Sequence, residues 1–389
     1  MKITICGAGN AAQTLIALLT GAGQADIAVY APLADEVQRL QLALPDDGLT
    51  AAFPDGVRHQ GRPALVTADA GAAGADAHLV LLALPAFAHE AVLRALAPHL
   101  PPTAWVGALP ARGGFDLLTQ HVLGDDRRVT FGLQTLPWAC RIREWGVAVD
   151  VLGVKAMVEV AAAPAGRTAE VAAALGALFR VPLAPIANFL ALTLANTGQI
   201  IHPGIMYGLF HNWDGQTYAP DQIPQFYGGV DAATAEFLEL MSGEVLAVRD
   251  AIQTAAPAVD LTGVVDVGAW LLAAYPDQIR DKRSLQAAFN SNTAYAGLAA
   301  PMVKSGERFV PAFHSRYLAE DVPYSLLVTR GIAELAGVPT PHIDRVIVWA
   351  QERLGREYLV AGRVTGADIT ASHAPQRFGI DTLAALVKQ

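Results

Sequence analysis

The chain has 389 residues, a formal net charge of −9 and 53% hydrophobic residues. That length allows two domains with sizeable cores, and the acidic balance argues against a general binder of nucleic acid or anionic membrane. Cys6 and Cys140 are the only cysteines, too few for a disulfide framework and in keeping with a reducing, cytoplasmic setting. The longest apolar stretch, residues 189–201, is interrupted by Asn196, Thr197, Gly198 and Gln199, so no membrane span is expected. The N-terminus shows no basic segment and no cleavage site, so no signal peptide is expected either.

In chain order, a β-type run at residues 3–6 ends in Gly7-x-Gly9-x-x-Ala12, and helical apolar spacing follows at Leu15, Ile16, Leu18 and Leu19. Strand, glycine turn and helix in that order are the context of a dinucleotide fingerprint. Gly7 permits the tight turn, Gly9 lets backbone approach a pyrophosphate, and Ala12 is small enough for close helix–strand packing. Free N–H groups at the helix start would hold the phosphates. Residues 26–30 read as a second strand and 34–42 as the next helix. The continuous apolar run at 79–84 reads as a buried parallel strand. Pro85 ends it, and residues 86–96 have helical spacing. Residues 105–109 and 129–133 read as further strands, and 147–162 as added β structure with a hairpin turn at Gly153. This alternation predicts a Rossmann-type, doubly wound parallel sheet.

From about residue 188 helical periodicity takes over, at 232–255, 264–275, 326–336 and 343–354. The expected organisation is a dinucleotide-binding domain, 1–187, followed by a mostly α-helical substrate domain, 188–389. The active cleft is expected between them, facing the carboxyl ends of the strands.

The second strand ends in Tyr30-Ala31-Pro32, where such folds usually place an acid for the ribose 2′-OH. Arg39 either reaches a 2′-phosphate or is a solvated helix residue, so residue types alone do not separate NADH from NADPH. The Leu84-Pro85 turn is either a nicotinamide or ribose contact or an ordinary strand-to-helix turn. His202 stands before Pro203-Gly204 inside a polar interruption of an apolar helix, a setting that suits a site, although a lone histidine among apolar residues is more often structural. Arg316, Glu320 and Asp321 gather just before another apolar helix. Asp321 either caps that helix or orients His202 through a carboxylate–imidazole hydrogen bond.

Taken together, Cys6-Gly7-Ala8-Gly9-Asn10, Thr135-Leu136-Pro137-Trp138-Ala139-Cys140, Val151-Leu152-Gly153-Val154-Lys155, His202-Pro203-Gly204-Ile205, Trp213-Asp214-Gly215, Arg316-Tyr317-Leu318-Ala319-Glu320-Asp321 and Pro375-Gln376-Arg377-Phe378-Gly379 resemble the opine dehydrogenase family, in order and over essentially the whole chain. The resemblance implies an NAD(P)H-dependent reductive condensation of a 2-oxo acid, usually pyruvate, with the amino group of an amino acid. It proceeds through an imine, gives an N-(1-carboxyalkyl) amino acid and runs in reverse as an oxidation. The resemblance assigns the catalytic pair to His202 and Asp321. The glycine turn and the Leu84-Pro85 turn give a cofactor set of Gly7, Gly9, Asn10, Ala12, Leu84 and Pro85, and the resemblance adds Arg316, reading either cofactor phosphate or substrate carboxylate. It places Gln134, Thr135, Cys140 and Trp270 near the substrate. NAD(H) is favoured, with NADP(H) as the alternative. No metal, nucleic acid or membrane is implied, and the chain is expected as a monomer or homodimer.

An enzyme selecting arginine needs a carboxylate for the guanidinium, whereas this chain carries neutral Gln134 where an acid would serve best. Glu144 fits better on a hairpin surface. A neutral or small amino acid, or another amine, is therefore expected. Trp213 and Trp270 either line the amino-acid pocket or belong to the core. Three other readings remain: a plain 2-oxo or hydroxy acid reductase, which commonly uses a lysine that is missing beside His202; a dinucleotide-sensing protein; and an opine dehydrogenase acting on a larger, metallophore-type amine.

Overall fold

The computed structural model describes residues 1–21, 23, 25–124 and 128–388. The chain divides into two compact units, Met1–Leu192 and Thr193–Gln389. In the first unit the strands are β1 (Lys2–Cys6), β2 (Asp26–Tyr30), β3 (Leu49–Ala52), β4 (Arg58–Gly61), β5 (Leu65–Thr67), β6 (Leu79–Leu82), β7 (Trp105–Ala108), β8 (Thr130–Leu133), β9 (Trp138–Glu144), β10 (Ala148–Val154), β11 (Val158–Ala163) and β12 (Leu183–Pro185). Its helices are α1 (Asn10–Gly21), α2 (Ala34–Ala43), α3 (Ala70–Gly74), α4 (Ala86–Leu96), α5 (Phe115–Leu123) and α6 (Thr168–Phe179), and α7 (Phe189–Leu194) crosses the division.

The large sheet runs β12-β11-β8-β7-β6-β1-β2-β5. From β5 to β8 every pairing is parallel, the doubly wound core expected from the alternation of strands and helices. β1 and β6 are buried on both faces, which explains their unbroken apolar runs. β11 then pairs antiparallel with β8, because the chain between them holds no crossover helix to return it parallel.

That intervening chain corrects the expected hairpin at 147–162. β10 pairs antiparallel with β9, not with β11, and the reversal falls at Gly146, whose φ is +72°. Gly153 sits inside β10 at a register shift, the place of a bulge rather than a turn. β9 and β10 join a second sheet, β4-β3-β10-β9. Helix α1 packs against β1 and β2 on one side and β3, β4, β9 and β10 on the other. This is why its buried residues run without a break from Ala11 to Leu19, since a helix covered on both sides needs no polar face.

The second unit contains α8 (Gly198–Phe210), α9 (Ala232–Ala255), α10 (Val267–Ala274), α11 (Leu285–Ser291), α12 (Arg316–Ala319), α13 (Leu327–Ala336), α14 (Pro341–Leu354) and α15 (Leu383–Leu386), with one hairpin, β13 (Met302–Ser305) and β14 (Arg308–Pro311). Helix α9 packs on α8, α11, α13 and α14. Gly204 lets α8 come close to α9, since a Cβ there would collide with Leu238. α10 starts later than its apolar pattern because the Asp266 side chain accepts from Ala269 N at 2.8 Å and caps it. Among the described residues no helix is long and apolar enough to cross a membrane.

Candidate active site

The polar break at residues 195–197 ends α7 and starts α8. Asn196 Oδ1 accepts from Gly198 N at 3.2 Å and so pins the helix start. One turn later comes His202. Its Nδ1 lies 2.8 Å from Asp321 Oδ2, and Asp321 is fully buried. Asp321 follows α12 and opens a π-helical turn, Val322–Leu326, in which Leu326 N donates to Asp321 O at 2.9 Å. Such wide turns gather at functional sites. The Asp321 side chain makes no cap bond to the helix after it. Of the two roles open to it in the sequence, the geometry shows the bond to histidine.

The other imidazole nitrogen, Nε2, lies 3.1 Å from the Tyr227 hydroxyl. One face of the ring stacks on Tyr317, with centroids 4.3 Å apart, and Tyr317 stacks in turn on Phe226 at 4.7 Å. Behind Tyr227 stand Tyr295 at 3.9 Å, then Tyr275, then Trp270. Burial pushes the Tyr227 phenol well above the usual tyrosine range, and the phenols of Tyr317 and Tyr275 push it the same way while Arg316 opposes them. Tyr295 is raised in the same manner, chiefly by burial. Trp270 thus reaches His202 only through a chain of rings, and Trp213 packs elsewhere, against Phe313 and Arg353.

Arg316 begins α12, exposed, beside Tyr317. Among the described residues it has no hydrogen bond or ion pair from its guanidinium. A solvated guanidinium next to a histidine–carboxylate pair is equipped to fork onto a carboxylate or phosphate.

In the first unit, Gly7 has φ +104°, and a Cβ there would come 2.9 Å from Ala83 O. At Gly9 a Cβ would meet nothing within 4 Å, so the start of α1 is open where a pyrophosphate would approach. The first turn of α1 carries no acidic residue to repel one. These features fit a dinucleotide. Ala12 is fully buried, as close packing requires. Asn10 is tied down, its Oδ1 accepting from Ile142 N at 2.7 Å. Pro85 precedes α4, and Leu84 O accepts from His89 Nε2 at 3.1 Å. Arg39 is exposed on α2, the solvated alternative of the two, with its guanidinium 4.3 Å over the Trp145 ring.

Gln134 and Thr135 stand together after β8. Gln134 N donates to Glu159 O at 3.0 Å, and Lys155 Nζ donates to Thr135 Oγ1 at 2.9 Å. Burial pulls the Lys155 ammonium below the usual lysine range and raises the Glu159 carboxyl. Cys140 does not join them. It is 4% exposed, within the core, with a thiol raised by burial and partnered by Thr14 of α1. Glu144 ends β9, exposed on the hairpin. The residues that sequence reasoning missed are Tyr227, Tyr295 and Tyr317. Tyr317 adjoins Arg316 in a stretch already singled out, whereas Tyr227 and Tyr295 lie in stretches with no cluster of ionisable residues to mark them.

Residues 185–354 match the family model described as NAD/NADP octopine/nopaline dehydrogenase, alpha-helical domain. The chain is 39% identical to tauropine dehydrogenase of Arabella iricolor, over 98% of both chains. It is 38% identical to octopine dehydrogenase of Mizuhopecten yessoensis, over 100% of this chain and 98% of that one. A solved octopine dehydrogenase with NADH and L-arginine superposes with a TM-score of 0.93 at 36% identity, covering 99% of this chain and 97% of the other, and one with NADH and pyruvate gives 0.90 at 35%, over 100% and 98%. The parallel-sheet domain with its open glycine turn, the helical domain with its histidine–aspartate pair and this likeness along the whole chain agree: the protein belongs to the octopine/nopaline (opine) dehydrogenase family of NAD(P)-dependent oxidoreductases acting on CH–NH bonds.

Proposed function

We propose that this enzyme joins pyruvate to the amino group of a neutral or small amino acid, with NADH as reductant and with His202 and Asp321 as the catalytic pair. The observation that carries the reading is the 2.8 Å bond between His202 Nδ1 and buried Asp321. It leaves Nε2 as the atom that exchanges protons, and exposed Arg316 adjoins Tyr317, which stacks on the ring. The solved relatives support the substrates, one containing NADH with L-arginine and another NADH with pyruvate.

Gly7, Gly9 and the N–H groups that open α1 would hold the dinucleotide, and Leu84 and Pro85 would border it. When bound, the reduced nicotinamide supplies the hydride that reduces the imine carbon. Arg316 pairs with the carboxylate of the oxo acid and orients its carbonyl. His202 Nε2–H gives its proton to the keto oxygen as the amine nitrogen adds to the carbonyl carbon. The proton then lost by that nitrogen returns to Nε2. A second transfer from Nε2 to the new hydroxyl releases water and leaves the imine. Asp321 holds the proton on Nδ1 throughout and stabilises each imidazolium.

The amine follows from charge. Gln134 is neutral, and the Lys155 ammonium on neighbouring Thr135 adds a positive charge, so a guanidinium side chain there meets repulsion instead of a carboxylate. NADH is preferred because Arg39, the cation of α2 nearest in sequence to the end of β2, is stacked on Trp145. A plain oxo-acid reductase is disfavoured, since Lys282 donates to Pro276 O and no lysine partners His202 among the described residues.

The test is oxidation of NADH and NADPH with pyruvate, with and without arginine and a panel of neutral amino acids, in wild type and His202→Asn. The reading predicts amine-dependent NADH oxidation that falls at least about a hundredfold in the variant. Oxidation by pyruvate alone sinks the condensation. Arginine as the fastest amine sinks the charge argument and leaves the chemistry standing.

A further inference from the structure

The histidine–aspartate pair uses Nδ1, yet the structure also occupies Nε2. The hydroxyl of Tyr227 is 3.1 Å from it, and the Tyr317 phenol is a second hydrogen-bond partner of the same hydroxyl. With Nδ1–H donated to Asp321, neutral imidazole offers Nε2 as an acceptor. The phenol keeps its proton, because burial and the neighbouring phenols raise its pKa, and so it is the donor. If His202 gained a second proton, two hydrogens would face each other across that 3.1 Å, and the buried O–H would have to turn away from its acceptor, a costly arrangement.

We propose that Tyr227 is a positioning residue for His202: its phenol anchors Nε2, fixes the Nδ1–H tautomer against Asp321 and biases the imidazole toward its neutral form until substrate arrives. The ammonium group of the amino acid then displaces the phenol and gives a proton to Nε2, which frees the amine to attack and makes the Nε2–H that protonates the keto oxygen. The other groups around the ring are Asp321 on the π turn, and Tyr317 and Arg316 on α12, with Tyr295 and Tyr275 behind Tyr227. Asp321 and Arg316 are the charged neighbours of the ring, and neither holds Nε2. Only Tyr227 holds the reacting nitrogen itself. This deepens the reading of His202 as the proton-exchanging group and rests on it.

The test is Tyr227→Phe, which removes the hydroxyl and keeps the ring that stacks on Tyr295 at 3.9 Å. Amine-dependent turnover is measured against pH. The histidine limb of the kcat/KM profile is expected to move up by about one pH unit, and kcat to fall about tenfold with KM within about twofold. A limb that stays in place overturns the proposal, whether kcat falls or not, because a merely structural ring contact would lower activity without moving it. If the variant does not fold, wild-type enzyme labelled with 15N-histidine decides: Nδ1–H with an unprotonated, hydrogen-bonded Nε2 supports the proposal, and Nε2–H overturns it. Activity surviving in His202→Asn would remove the catalytic reading itself, an outcome separate from anything Tyr227→Phe shows.

Discussion

Asp321 has no exposed surface and meets His202 at 2.8 Å, so its value lies in the tautomer and charge of its neighbour. Asp321→Asn keeps the shape but removes the charge and allows the wrong tautomer. We expect kcat to drop about 10²–10⁴-fold with a smaller change in KM, checked by steady-state kinetics at saturating amine. Arg316 should behave in the opposite way. Arg316→Ala should raise KM for the oxo acid about tenfold or more, and Arg316→Lys should recover only part of it because a point charge does not fork. His202 was legible in the sequence as part of a polar interruption that an apolar helix does not need, and Asp321 as one of several ionisable groups gathered just before another apolar helix. Tyr227 was not, since Phe226-Tyr227 reads like core, and only the fold brings that hydroxyl to a nitrogen 25 residues away.

Elements with strong periodicity were read almost to the residue. α4 and α9 match their apolar spacing, and β1, β2 and β6 announce themselves by burial on both faces. The short strands β3, β4 and β5 were not anticipated, because Arg58-His59-Gln60-Gly61 pairs through its backbone alone and shows neither alternation nor apolar run. Gly153 misled for a physical reason: a glycine inside a strand marks a bulge as readily as a turn. The glycine turn before α1 gives a paired prediction. Gly9→Val should leave the thermal midpoint nearly unchanged, since a Cβ there meets nothing, while NADH affinity falls about tenfold or more as the approach to the pyrophosphate is filled. Gly7→Ala should instead lose about 1–3 kcal/mol of stability, because its φ of +104° and the contact with Ala83 O penalise any side chain. Calorimetry and a fluorescence titration of NADH separate the two.

For the molecule as a whole, stability should depend on pH through buried groups of the first unit. Burial lowers the fully buried His89 from 6.5 to about 4, opposed by its bond to Leu84 and helped by Arg112. Between those values the unfolded chain binds a proton that the folded one refuses. Stability therefore falls as pH drops from about 6.5 to about 4, by up to about 3 kcal/mol. Asp116 works in the other direction: burial raises it to about 6, so it contributes stability at low pH that is lost as pH rises toward that value. Comparing wild type with His89→Gln by denaturant melts at several pH values isolates the histidine, and the gap between the two should change by about 3 kcal/mol across the window. Two-unit organisation and the parallel core were legible from the switch in periodicity. The antiparallel return of β11 was not, because strand direction depends on what the chain does between β8 and β11, and that stretch leaves for another sheet.

The glycine turn is also held from a distance. Asn10 is tied to Ile142, and Gln13 Oε1 accepts from Gly146 N, links that span 132 and 133 residues of chain. Closing such wide loops is slow compared with forming the helix itself. On a ribosome, where synthesis proceeds from the N-terminus, the glycine turn emerges early yet must wait for the β9–β10 hairpin before it is fully anchored. A nascent chain arrested before Ile142 would therefore carry the whole glycine turn and still lack the two bonds that anchor it.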